Sequence, residues 1–204
     1  LSISGTNSND FCGVILAGGE NKRYNGIVKA KLLISGKPII ARTLEVLNPI
    51  FDDILIVTNS KDQFSDYSSY KMVSDIFEKV GPLGGLHAAL TATSRDAVFM
   101  VASDMPLLSG EIIASMLEQF GSCNCEILIP RHNGLDEPLH AIYSRSLLER
   151  LDSFLISSKE YAIRDFLKLA VVDYFAVDIN NNNPFLNINR PADMAQIEEI
   201  MKNI

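Results

Sequence analysis

The residues best placed to do chemistry in this chain are two cations, Arg23 and Lys29, and one aspartate, Asp104. Arg23 and Lys29 fall in one short polar loop behind Leu16-Ala17-Gly18-Gly19. No large side chain occupies positions 17 to 19, so a phosphate or a flat base can come against main-chain N–H groups whose dipoles suit an anion. A glycine turn followed by two spaced cations describes a nucleotide-phosphate site; the other reading is a tight turn with two solvated cations. Asp104 opens Asp104-Met105-Pro106 directly behind the strongest apolar run of the chain. A carboxylate there suits Mg²⁺, which keeps several waters and bridges substrate phosphates, and it equally suits a turn or a helix cap. No Ser-His-Asp or Cys-His arrangement stands out, and phosphoryl chemistry requires none.

Two further clusters accompany these residues. Asn59 and Asp75 each follow a short apolar run, and Gly81-Pro82-Leu83-Gly84-Gly85 opens a helical stretch. Those glycines either close a loop or let the helix start approach a ribose or base. Near the C-terminus, Asn187 and Asn189 are spaced i, i+2, which turns both to one side of an extended segment. Their amides can donate and accept to an amide-edged ligand, while Asn189 could instead cap a helix at Pro191. His140 lies in an apolar run and reads as a hydrogen-bonded core residue, outside the catalytic set.

The elements that must hold these groups alternate. Phe11–Leu16, Asp53–Thr58, Lys71–Ser74 and Asp96–Ala102 read as buried strands. A helix begins at Pro38 with Ile40, Leu44 and Leu47 on one face, a second follows Gly85, and a third spans Glu111–Phe120. Strand-helix alternation predicts an α/β fold, a mostly parallel sheet with helices on both faces, and ligands gathered at the carboxyl ends of the strands. The Gly loop, Asn59, Asp75 and Asp104 all fall on that edge. The second half is less regular: strands over Glu126–Pro130, Pro138–Tyr143 and Val171–Val177, and helices over Leu147–Phe154, Tyr161–Ala170 and Pro191–Met201. Asn180–Asn183 with Pro184 reads as a loop.

With 204 residues, 47% of them hydrophobic and 21% charged, the chain fits one domain with a substantial core. We divide it into a nucleotide half (11–120) and an acceptor half (121–204), with 1–10 as a loose tail. No uninterrupted apolar run reaches membrane length, no secretion signal is visible, and a cytoplasmic protein is expected. A formal net charge of −7 argues against nucleic-acid binding driven by phosphate contacts. Cys12, Cys123 and Cys125 show no metal-type spacing and read as reduced structural thiols; the scattered His87, His132 and His140 make a zinc site unexpected.

Leu16, Ala17, Gly18, Gly19, Arg23, Gly26 and Lys29, followed by Gly36-Lys37-Pro38, resemble the nucleotidyltransferase signature of the molybdenum cofactor guanylyltransferases. Tyr24 and Asn25 depart from it, where Met and a second Gly are usual. The Asp75 and Gly81–Gly85 block, Asp104-Met105-Pro106, Pro138–Tyr143 and Asn187–Asp193 resemble its later blocks in order. The resemblance implies a Rossmann-like nucleotidyltransferase fold and transfer of GMP from GTP to molybdopterin, releasing pyrophosphate. It places Arg23, Lys29 and Asp104 in catalysis, Mg²⁺ on Asp104, and the nucleotide against Leu16, Ala17, Gly18 and Gly19. Asn59, Asp75, Gly81 and Gly84 complete that contact set, and Asn187 and Asn189 face the pterin. No nucleic acid or membrane is implied as a partner, and transient contact with other cofactor-biosynthesis or acceptor proteins is compatible with it. The competing readings are another nucleotidyl transfer, with CTP or a sugar-phosphate acceptor, and a non-catalytic nucleotide-binding partner in cofactor delivery.

Overall fold

The computed structural model describes residues 10–18, 28–179 and 183–202. Gly19, Arg23, Tyr24, Asn25 and Gly26 lie outside the described residues, as do 180–182 and all of the expected tail but Asp10.

Strand β1 (Phe11–Leu16) is buried along nearly its whole length. After it come a short hairpin, β2 (Leu33–Ile34) and β3 (Lys37–Pro38), and helix α1 (Ile39–Leu47). Pro38 is therefore not in the first helical turn. Its extended backbone (ψ 143) pairs in the hairpin, and the helix starts one residue later. The chain continues through β4 (Asp53–Val57), β5 (Lys71–Val73), α2 (Pro82–Ala92), β6 (Ala97–Ala102) and α3 (Gly110–Ser122). It closes with β7 (Ile127–His132), β8 (Leu135–Asp136), β9 (His140–Ser144), α4 (Leu148–Ser157), α5 (Ile163–Leu167), β10 (Val172–Ala176) and α6 (Pro191–Lys202).

Among the described residues the main sheet has eight strands, in the order β10-β7-β9-β6-β1-β4-β5 with β8 paired to β7. The pairs β1/β4, β1/β6, β4/β5 and β7/β10 are parallel, as the strand-helix alternation requires. Only β9 runs against both of its neighbours, β6 and β7. The link from β7 to β9 explains this. Asn133 and Gly134 both take positive φ (48° and 77°), the two-residue turn that closes a hairpin. A parallel return would need a crossover of a dozen or more residues, for which the chain has no room there.

Side-chain alternation along the central strands feeds two cores. Phe11 and Ile15 of β1, Ile54 and Ile56 of β4, and Phe99 and Val101 of β6 pack with α1 and α3 on one face. Cys12, Val14, Leu55, Val57, Val98 and Met100 pack with α2, α4 and Phe166 of α5 on the other. A third, small cluster of Ile34, Ile39, Leu107, Ile188 and Ile197 docks α6 onto the β2–β3 hairpin and the start of α1. The C-terminal segment thereby lies beside the first hairpin.

Two expectations are corrected. The helix expected over Tyr161–Ala170 is confined to α5, because residues 166–170 close in turns that leave only Phe166 fully buried. Cys123 and Cys125 are not reduced thiols but a disulfide, with Cα atoms 5.4 Å apart. Cys123 ends α3 in extended geometry, so side chains two residues apart face the same way. Cys12 stays free and buried, and burial pushes its thiol up to about 11.

Candidate active site

The carboxyl ends of β1, β4 and β6 open into a cleft of about 730 Å³. Main-chain bonds hold its floor: Ala17 N donates to Val57 O (2.9 Å), Ser103 N to Leu16 O (3.0 Å) and Ala102 N to Leu139 O (2.9 Å). Ala17 therefore spends its amide inside the sheet and does not offer it to the cleft. Gly18 lines the cleft, and among the described residues a methyl group in place of its hydrogen would meet nothing within 4 Å.

Asp104 leaves the end of β6 and lines the cleft together with Lys29, which sits in a short 3-10 turn, Lys29–Lys31. Lys29 Nζ donates to Asp104 Oδ2 at 2.9 Å and to Asn189 Oδ1 at 3.1 Å. Both members of the ion pair are partly sheltered, with side chains 25% and 19% exposed. The Asp104 carbonyl also accepts from Ile188 N (2.9 Å), which clamps the C-terminal loop against the end of β6. Lys31, the extra cation near the loop, points elsewhere: its Nζ donates to the Gln63 carbonyl (2.6 Å) and to Asp66 (3.3 Å).

At the other side of the cleft, Asn59 and Asp75 bond reciprocally. Asn59 Nδ2 donates to Asp75 Oδ2 (2.9 Å), and Asp75 N donates to Asn59 Oδ1 (3.0 Å). This ties the loops after β4 and β5 into one wall. Gly81 begins α2 with φ 63° and ψ −147°, a region effectively reserved for glycine, and Pro82 follows at the first helical position. Gly85 lines the cleft because α2 comes so near β1 that a Cβ there would lie 2.7 Å from Leu16 Cδ2. Gly84 does not line it. Its Cβ would press on Val80 Cγ2 (2.9 Å) and the Phe77 carbonyl (3.1 Å), so it is a packing glycine.

Asn187 and Asn189 line a second hollow of about 330 Å³, together with Arg190, Asp193 and Gln196. Asn189 does not cap α6. Asp193, three residues into the helix segment, reaches back to accept from Asn189 N (2.7 Å) and Arg190 N (2.8 Å). Those two amides hold the Asp193 carboxyl below its ordinary range. The Asn189 side chain is thereby left to bridge to Lys29. The expected contacts Leu16, Ala17, Gly18, Lys29, Asn59, Asp75, Gly81 and Asp104 all line the first cleft. Asn187 and Asn189 line the second, and Gly19 and Arg23 lie outside the described residues.

The model of the MobA-like NTP transferase domain matches residues 13–173. The chain belongs to the MobA-like NTP transferase family. It is 34% identical over 197 residues to a protein of Natranaerobius thermophilus named "Probable molybdenum cofactor guanylyltransferase", covering 92% of this chain and 95% of that one. It is 32% identical over 195 residues to a protein of the same name from Thermococcus sibiricus, covering 91% and 96%. Among solved structures, molybdopterin-guanine dinucleotide biosynthesis protein A from Archaeoglobus fulgidus superposes with a TM-score of 0.80 at 27% identity, covering 95% of this chain and all of that one.

The match to the MobA-like domain takes in every described residue of the first cleft and stops short of the second hollow. Several residues of the cleft were not singled out from sequence: Ser60, Lys79, Ser103 and Leu139. Ser103 was signalled by its place beside Asp104, and Lys79 by none, since a non-glycine at φ 62° cannot be read from residue type. In the second hollow Arg190 and Gln196 went unread for the same want of local pattern. His140 is core, as expected, but not hydrogen-bonded: among the described residues neither ring nitrogen has a partner. Phe99 and Phe185 pack edge-to-face on it at 5.0 Å.

Proposed function

We propose that this family member transfers GMP from GTP to the molybdopterin form of the molybdenum cofactor in the cytoplasm, releasing pyrophosphate. The observation that carries the reading is Lys29, whose Nζ joins Asp104 of the nucleotide cleft to Asn189 of the neighbouring hollow. One cation thus stands where two bound substrates would meet. The acceptor's terminal phosphate oxygen attacks the α-phosphorus of GTP, and the bond from that phosphorus to the bridging oxygen of the β-phosphate breaks. The electron pair leaves with pyrophosphate, so positive charge near the α-phosphate lowers the barrier. Lys29 supplies it, and Arg23 is assigned the same task from its place in the signature.

Asp104 fits a Mg²⁺ ion: it is a hard oxygen donor on a rigid strand end, facing a cavity roomy enough for the ion's waters. The ion, when bound, supplies Lewis-acid charge to the phosphates. Asn59 and Asp75 shape the wall for ribose and base, and Gly18 leaves its side of the cleft open to phosphate. Asn187 and Asn189 offer amides to the pterin edge.

Pyrophosphate release measured with each nucleoside triphosphate, with and without molybdopterin, tests this directly. Release that needs both GTP and molybdopterin is expected; equal release with CTP, or release indifferent to molybdopterin, refutes it. Asp104→Asn keeps size and removes charge, and turnover should fall about two orders of magnitude with the fold intact. Undiminished Mg²⁺-dependent turnover in that variant would remove Asp104 from the reaction.

A further inference from the structure

Cys123 and Cys125 lie where α3 hands over to β7, and Asp173 lies on β10, paired opposite Leu128. One ligand atom from each of the three falls within 4.8 Å of the others. The carboxylate is held in place: Gln119 Nε2 donates to Asp173 Oδ2 (3.4 Å) and Tyr174 N to Oδ1 (2.9 Å). Each oxygen accepts one of these bonds and keeps a further lone pair. The cysteines are partly buried and the aspartate is exposed, so the cluster is open to solvent on one side. It is separate from the nucleotide cleft, because β10 is four strands from β1, roughly 19 Å across the sheet.

We propose that these three residues form a zinc site that exists only when the disulfide is reduced. Two thiolates and a carboxylate are the donor set of a thiophilic divalent ion, with water in the fourth position. In the disulfide the sulfurs are bonded to each other and ligate nothing. A small dithiol or a phosphine reductant opens it. With a dithiol, the protein disulfide gains two electrons and two protons while the reductant closes to its own disulfide; with a phosphine, water supplies both protons and its oxygen ends on phosphorus as the phosphine oxide. Zinc then displaces the two thiol protons, forming two Zn–S bonds and one Zn–O bond. The ion cross-links the end of α3 to the edge strand β10, as the disulfide alone cannot, since it joins neighbours two residues apart.

The test uses the whole chain, reduced with a phosphine and then cleared of it, and zinc titrated against a chromophoric chelator. One tightly held zinc per reduced chain and none per oxidised chain is expected, with a zinc-dependent rise in melting temperature in the reduced form only. Asp173→Ala should weaken zinc by about 10–100-fold, and the double variant Cys123→Ser/Cys125→Ser should lose the tight site. Co²⁺ in place of zinc should show thiolate charge-transfer absorption in the wild type and none in the double variant. Absence of tight zinc in the reduced wild type, or zinc held as tightly by the double variant, overturns the proposal; the latter would place the ion in the cleft at Asp104.

Discussion

Replacing Asn189 by Ala tests whether the two hollows are coupled. The substitution removes the Oδ1 that accepts from Lys29 Nζ at 3.1 Å and leaves the rest of the loop anchored. Asp193 still accepts from the main-chain amides of residues 189 and 190, and Ile188 N still reaches the Asp104 carbonyl. The loop keeps its other anchors, so stability should fall by no more than the bridge itself is worth, about 1.5 kcal/mol. A hydrogen bond from a charged donor is worth about 1.5–3 kcal/mol, and Lys29 keeps a quarter of its side-chain exposure, which argues for the low end. About 1.5 kcal/mol is roughly tenfold, and it should appear as a loss of kcat/KM for the acceptor. GTP affinity should fall as well, by a few-fold, because Lys29 also faces the nucleotide cleft. A double-mutant cycle with Lys29→Ala, read by pyrophosphate release and by calorimetry on GTP, should give a coupling of about 1 kcal/mol. Strict additivity, or a fallen melting temperature with unchanged kinetics, would refute the bridge and make Asn189 a structural residue.

Lys29→Ala alone should weaken GTP more than GMP in calorimetry, since the charge faces the triphosphate; equal losses would mark a structural lysine. Among the described residues Gly18→Ala meets no atom within 4 Å, so its melting temperature should hold while GTP affinity falls. Gly85→Ala presses on Leu16 at 2.7 Å, so overpacking of about 1–3 kcal/mol, less about 1 kcal/mol of helix propensity, should lower both melting temperature and nucleotide affinity. Burial pushes the His140 imidazole down to about 3, while the unfolded chain protonates it near pH 6.5. The unfolded state then binds more protons as pH falls from 6.5 toward 3, so stability present above pH 6.5 is lost downward, on the order of 2 kcal/mol by pH 5. Denaturant titrations of His140→Leu should lack that part of the slope, and an unchanged slope would show that His140 is not held neutral.

Read from sequence alone, the central strands and the edge that carries the candidate site were already legible. The runs at 11–16, 53–58 and 96–102 have strand length and Val/Ile-rich composition, and parallel strands put their carboxyl ends together whatever the loops do. Asp104, Asn59 and Asp75 were legible because each sits one or two residues past such a run. Tertiary structure alone decided which groups touch. The Lys29–Asn189 bridge spans 160 positions, and no local pattern encodes a contact made by a terminal segment folding back through Ile188 and Ile197 onto the first hairpin. Gly84 and Gly85 are neighbours of one residue type, yet one packs against Val80 and the other opens the cleft, because helix rotation against β1 separates them. Asp173 reaches the cysteines for a similar reason. It stands on an edge strand whose parallel pairing with β7 brings it across from the end of α3, a matter of register and not of spacing along the chain.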